Sequence, residues 1–125
     1  MSQSLTTTLA TMAAGIVRNG WCQGMRSMWS SGVGWRYCLA GAMDRAADKL
    51  RGMLEPRRKM DVFEAHSELC WKLSKNLSTS NLMAWNDHVA NSAEQVAVEL
   101  EKAGGKPVAS AADEYWESIS EFDDQ

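Results

Sequence analysis

Apolar residues recur at helical spacing from residue 35 to residue 54, in the segment WRYCLAGAMDRAADKLRGML. They follow the i, i+3, i+4, i+7 pattern of an amphipathic helix for roughly five turns. The apolar positions are Trp35, Cys38, Leu39, Ala42, Met43, Ala46, Leu50, Met53 and Leu54. Small residues on the same stretch would let another element approach closely. We therefore predict that residues 35–54 form the central helix of the fold.

Three further segments show the same periodicity with helix boundary signals. A first helix is predicted over residues 4–18, with Ser4 as its N-cap and Gly20 as a left-handed stop. A second is predicted over residues 61–76, with Phe63, His66, Leu69 and Cys70 on its apolar stripe. The third starts at Ser92, where Ser92 to Gln95 has the form of a capping box, and it ends at Gly104.

The segment from Trp21 to Gly34 is apolar and rich in glycine, with few charges. A long apolar connection should not lie free in solvent. We expect it to lie against the core with Trp21 and Trp29 as anchors, and with one helical turn near residues 25–29. If any segment lines a pocket, it is this one.

The predicted fold class is all-α, a compact single-domain bundle of four to five helices. Only two prolines occur in the 125 residues, and no run of alternating β-branched residues appears. The helical domain is expected to cover residues 1–105. Residues 106–125 form an acidic C-terminal segment, predicted to be a helix or tail docked on the same domain.

The net charge of −3 conceals an asymmetry between the two halves of the chain. Residues 1–60 carry nine Lys/Arg against three Asp/Glu, whereas residues 61–125 carry four against thirteen. The net charges of the two halves are therefore +6 and −9. The halves are expected to attract each other, within one fold or between two copies. An acidic tail beside a modest basic patch is a poor general nucleic-acid binder. The run Arg57-Arg58-Lys59 is interpreted as a solvated turn.

Compartment and membrane association follow from the cysteines and the hydropathy. Cys22, Cys38 and Cys70 are widely spaced and form no C-x-x-C motif, which favours a reducing compartment. No window approaches the ~18 apolar residues that a membrane span needs, and the N-terminus lacks the basic residues of a secretory signal. We expect a cytoplasmic protein with no membrane association.

Three short motifs carry a resemblance to a known family. They are Trp21-Cys22-Gln23-Gly24, the helix segment from Leu39 to Ala46, and Trp85-Asn86-Asp87. In order and rough spacing, the chain resembles a domain-of-unknown-function family of small proteins found in bacteria, notably actinobacteria, and in their phages. The resemblance covers about residues 5–103. It supports the domain boundary and implies no activity.

Two interpretations of Trp85-Asn86-Asp87 remain open. In the structural interpretation, the Asn and Asp side chains bind backbone N–H groups in a turn and fix how two helices meet. In the functional interpretation, Trp21, Gln23, Asn86, Asp87 and His88 form a ligand-binding or weakly hydrolytic pocket. No nucleophile is identifiable by spacing, so no catalytic residue is assigned.

A metal site is a weaker interpretation of His66 and Cys70. These residues are four apart on one predicted helix face, and a structural site needs further ligands. A hydrogen-bonded core histidine beside a core thiol is favoured. We expect neither a metal nor a cofactor.

The C-terminal segment is the second candidate surface. Tyr115, Trp116 and Phe122 keep helical spacing beside Glu117, among six acidic groups and no basic one after residue 110. We expect a non-enzymatic cytoplasmic binding protein that acts through a protein–protein interface, as a phage or mobile-element accessory factor directed at a host protein. The alternatives are the pocket above and a structural or oligomer-forming module.

Overall fold

The computed structural model describes residues 4–32 and 34–105. These residues form five α-helices and two short strands, in the order α1 (Leu5–Asn19), β1 (Ser27–Ser30), β2 (Gly34–Tyr37), α2 (Leu39–Met53), α3 (Lys59–Asn76), α4 (Leu82–His88) and α5 (Ala93–Ala103). A single 3-10 turn, Pro56–Arg58, leads into α3. The fold is therefore mainly helical, as predicted, but it is not all-α, because β1 and β2 pair as an antiparallel hairpin.

Helix α1 occupies the centre of the fold. It packs against α2, α3 and α5, and ten of its fifteen residues are buried. The prediction that residues 35–54 form the central helix is thus wrong. Two of its buried threonines are accommodated by hydrogen bonds: Thr6 donates to Glu68 (2.6 Å) and Thr11 donates to the carbonyl oxygen of Thr7 (2.9 Å).

The N-terminus of α1 forms as the sequence predicts. The hydroxyl oxygen of Ser4 accepts a hydrogen bond from the backbone N–H of Thr7 (3.1 Å), as an N-cap does. Its C-terminus differs from the prediction, because Gly20 has an extended backbone with φ of 176° rather than a left-handed one. A glycine is needed there for space instead, since an added Cβ would lie 2.7 Å from the carbonyl oxygen of Trp35.

Helix α2 begins at Leu39, four residues later than predicted. Its N-cap is Cys38, whose sulfur accepts from the backbone N–H of Gly41 (3.4 Å). Trp35 lies in β2 and 57% of its surface is exposed. The apolar stripe of residues 35–54 therefore combines two elements, a strand and a helix that buries Leu39, Met43 and Leu50.

The predicted helical turn near residues 25–29 is a strand instead. Trp29 pairs directly with Trp35, and Ser27 pairs with Tyr37. Gly32 and Gly34 have φ of 87° and 86°, a left-handed conformation that glycine adopts without a steric penalty. This backbone freedom at the tip allows the chain to reverse between the strands.

The remaining helices confirm some of the predicted boundaries and correct others. The capping box at Ser92 is confirmed: its hydroxyl oxygen accepts from the N–H of Gln95 (3.1 Å), and the Gln95 side chain accepts from the N–H of Asn91 (2.7 Å). The predicted stop of α5 at Gly104 is confirmed as well. By contrast, α4 extends from Leu82 to His88. The Trp-Asn-Asp motif therefore lies within a helix and not in the predicted turn.

An ion-pair cluster links the basic and acidic halves of the chain across α1 and α5. Arg18 contacts Glu94 through two hydrogen bonds of 2.9 Å and Glu101 through one of 2.7 Å. The side chain of Glu101 is fully buried. Glu94 and then Glu101 raise the pKa of Arg18, and Arg18 lowers the pKa of Glu94. The expected attraction between the halves is thus present within one molecule.

Candidate functional site

The amide of Asn86 is the centre of a buried hydrogen-bond network. Its Oδ1 accepts from the indole N–H of Trp21 (2.7 Å) and from the backbone N–H of Leu39 (3.1 Å). Its Nδ2 donates to the carbonyl oxygen of Cys22 (3.1 Å) and to Asp87 (3.0 Å). A primary amide offers two donor hydrogens and two acceptor lone pairs. All four are used, which explains how Asn86 can be fully buried.

Gln23 and Asp87 extend this network to the surface. The Gln23 amide donates to the carbonyl oxygens of Asn86 (2.9 Å) and Asp87 (3.1 Å) near the end of α4. The Asp87 carboxylate accepts from the backbone N–H of Gly24 (2.8 Å). The Gly24 N–H and then the Asn86 amide lower the pKa of Asp87, because both donate to its ionised form. His88 is exposed at the end of the same helix.

The network therefore joins four of the five residues predicted to form a ligand pocket. Trp21, Gln23, Asn86 and Asp87 contact one another or the same backbone groups, and the Trp21 N–H, the Gln23 Nε2, the Asn86 amide and one Asp87 oxygen form hydrogen bonds within the fold. This geometry supports the structural interpretation, in which the Asn and Asp side chains bind backbone N–H groups and fix how two helices meet, although they do so from within α4 and not from a turn. Ligand binding by these residues stays a prediction. The predicted partner-binding residues, Tyr115, Trp116, Glu117 and Phe122, lie outside the described residues.

The hairpin has an exposed aromatic face that the sequence pattern did not predict. Trp29 was expected to anchor a loop on the core, yet 60% of its surface is exposed, and its partner Trp35 is 57% exposed. The ring of Tyr37 stacks on Trp35 at 6.4 Å. We call Trp29, Trp35 and Tyr37 the hairpin face. The sequence signal for the hairpin face was a spacing of two residues between positions on the same side of a strand, on either side of a glycine-containing turn.

A cleft of about 230 Å³ lies beside the hairpin face, where β1 approaches α2. It is lined by Arg26, Ser27, Tyr37, Gly41, Asp44, Arg45 and Asp48. Arg26 forms an ion pair with Asp44, whose other oxygen contacts His66 at 3.0 Å. The cleft thus has charged walls and an aromatic side chain at its edge.

His66 is hydrogen-bonded, as predicted, but it and Cys70 are half-buried and do not belong to the core. Its Nδ1 lies 3.7 Å from the sulfur of Cys70, and burial raises the pKa of that thiol. Among the described residues, no group of three or more His, Cys, Asp or Glu side chains is placed to hold a metal ion.

Helix α3 exposes a second set of apolar side chains. Phe63, predicted to be on the inner stripe, is 60% exposed, as is Trp71. The ammonium of Lys75 lies 4.5 Å above the Trp71 ring, a cation–π contact. A larger cleft, about 580 Å³, lies at the ends of α3, α4 and α5, lined by Asn76, Leu77, Trp85, Gln95, Glu99 and Lys102.

No helix in the described part of the chain is long and apolar enough to cross a membrane.

One of three comparisons with known proteins gave a match to this chain. Neither the curated proteins nor the solved structures gave a match to this sequence. A protein-family model matches residues 1–106, which is most of the chain. The chain therefore belongs to a family of unknown function, DUF6197.

Proposed function

We propose that this protein is a binding protein that acts through a protein–protein interface, and that the hairpin face is its contact surface. One observation carries the proposal. Two tryptophans lie directly opposite each other on one side of a hairpin, and more than half of each is exposed. Tryptophan is enriched among the residues that dominate binding energy at protein interfaces.

The energetics support a role in binding. Covering ~100 Å² of apolar surface contributes about 2.5 kcal/mol, and two neighbouring indoles offer more than that area. The pair is also preorganised, because the strand register holds Trp29 opposite Trp35. A partner would therefore lose little free energy in ordering these side chains.

The wider expectations stay proposals beside this one. They are a host protein as the partner, a phage or mobile-element origin, a cytoplasmic location, and a second contact surface at Tyr115, Trp116, Glu117 and Phe122.

The proposal is tested by affinity capture from a host lysate with a matched control. The double variant Trp29→Ala/Trp35→Ala removes both indoles of the hairpin face, whereas Trp71→Ala removes an indole of similar exposure on α3. We expect the double variant to lose a captured protein that the native chain and the control retain, with all three showing similar thermal midpoints. Equal capture by the double variant would show that the hairpin face is not the contact surface.

A further inference from the structure

We infer that the partner binds as an extended segment that adds a third strand along the free edge of β1. This inference rests on the proposed function, because it names the kind of partner that the hairpin face would take.

The register determines which backbone groups of β1 point outward. The N–H of Cys38 donates to the carbonyl oxygen of Arg26 (3.0 Å), directly before the Ser27–Tyr37 pair. Antiparallel ladders alternate between hydrogen-bonded and non-hydrogen-bonded pairs. Ser27–Tyr37 and Trp29–Trp35 are therefore non-hydrogen-bonded pairs. The N–H and C=O groups of Ser27 and Trp29 consequently point away from β2.

The opposite edge of the hairpin confirms this alternation. On β2, the N–H of Tyr37 donates outward to the carbonyl oxygen of Gly20 (2.9 Å), and its C=O accepts from the N–H of Cys22 (3.2 Å). The edge of β2 is thus covered at Tyr37 by the segment after α1. Within residues 4–32 and 34–105, no such segment pairs with Ser27 and Trp29.

An open strand edge is suited to an extended peptide. Main-chain hydrogen bonds supply affinity in strand addition, and alternate side chains supply specificity. Two strands alone are marginal, and a third adds both hydrogen bonds and a wider apolar face. An incoming strand would form hydrogen bonds with the outward N–H and C=O groups of Ser27 and Trp29 and would lie beside the Trp29 indole.

The cleft indicates which side chains the segment should carry. Cross-strand neighbours share a face, so one side chain of the segment would contact Trp29. The side chain two residues away would lie opposite Ser27, at the cleft that Ser27 and Tyr37 line with Arg45 and Asp48. The partner segment therefore has an apolar residue and, two positions along, a large side chain with a polar end.

The test uses a displayed library of random linear nonapeptides, selected on the whole immobilised protein. Selected peptides are then measured against Ser27→Pro and Ser27→Ala. Proline removes the outward N–H of Ser27 and is tolerated on edge strands, whereas alanine keeps that N–H. We expect Ser27→Pro to weaken binding at least tenfold and Ser27→Ala to leave it within twofold. N-methylation along the peptide should weaken binding at every second residue.

Each other outcome overturns the inference. The first is the absence of any selected peptide. The second is equal binding by the two Ser27 variants with no alternation in the N-methyl scan. The third is a concentration-dependent dimer that Ser27→Pro abolishes, which would make a second copy the occupant. If Ser27→Pro changes the thermal midpoint, the N-methyl scan decides alone. If Trp29→Ala/Trp35→Ala loses lysate capture but the N-methyl scan shows no alternation, strand addition is wrong and the proposed function stands. If capture is retained and the scan shows no alternation, both strand addition and the proposed function are wrong.

Discussion

The indole N–H of Trp21 donates a 2.7 Å hydrogen bond to Oδ1 of Asn86. This contact joins the segment after α1 to α4, across 65 positions of the chain. The same Oδ1 also accepts from the first residue of α2 (3.1 Å). One amide therefore sets the relative positions of three elements, which makes it the best point at which to test the fold.

Asn86→Ala should destabilise the protein strongly. It removes the acceptor of Trp21 and Leu39 and the donor to Cys22. Leaving buried polar groups unpaired costs about 2–3 kcal/mol in the free energy of unfolding. Urea denaturation measures this cost. The control is Asn91→Ala at an exposed position, and a similar loss in both variants would contradict the central role of Asn86.

Asp87 should make stability depend on pH in the acid range. Its hydrogen bonds lower its pKa in the folded state. The stabilisation is therefore complete above the ordinary carboxyl pKa of about 4 and is lost as the pH falls through the folded value. The thermal midpoint of Asp87→Asn should lie below that of the native chain at pH 7, and the difference should narrow towards pH 2.

The control for Asp87 is Glu64→Gln, at an exposed position on α3. We expect its midpoint to follow that of the native chain across the whole pH range. A difference between Asp87→Asn and the native chain that stays constant from pH 7 to pH 2 would show that the ionised carboxylate is not what stabilises the fold.

The two glycines of α2 should respond to alanine with opposite signs. A Cβ on Gly41 would collide with the carbonyl oxygen of Arg26, whereas nothing lies within 4 Å of a Cβ on Gly52. Gly41→Ala must displace the base of the hairpin and should lower the thermal midpoint. Gly52→Ala should raise stability by about 0.5–1 kcal/mol, since alanine is the better helix former. Equal midpoints for both variants would refute the close contact at Gly41.

Arg18 and Glu101 form an ion pair between α1 and α5, and substituting one should cost more stability than substituting the other. Arg18→Met leaves Glu101 as a buried, uncompensated carboxylate, which costs about 3–5 kcal/mol. Glu101→Met costs less, because Arg18 keeps its two hydrogen bonds to Glu94. The double variant should recover much of the loss. A double-mutant cycle in urea measures the coupling, and additive effects would contradict it.

The elements that the sequence predicts well are those with local signals. Ser4 and Ser92 cap their helices through contacts three residues away, and such contacts depend only on neighbouring residues. The network of Asn86 was foreseen only as one of two interpretations. Its partners Trp21 and Leu39 come from distant positions, and no local pattern specifies that they meet.

The hairpin was missed for a different physical reason. Trp35 lies three residues before Cys38 and four before Leu39, so its position continues a helical stripe by coincidence. Its outward side chain shows that the apolar residue was not there to fill the core. In α1, Thr6 and Thr11 are buried, and hydrogen bonds to Glu68 and to the carbonyl oxygen of Thr7 satisfy their hydroxyl groups.

The central place of α1 has a consequence for the synthesis of the chain. Its contacts with α5 join residues as far apart as Thr7 and Gly104, 97 positions along the chain. A ribosome releases the first helix long before its main neighbour exists, and closing so large a loop is slow. Until α5 emerges, the side of α1 that packs against α5 stays uncovered, and the nascent chain passes through a state in which aggregation competes with folding.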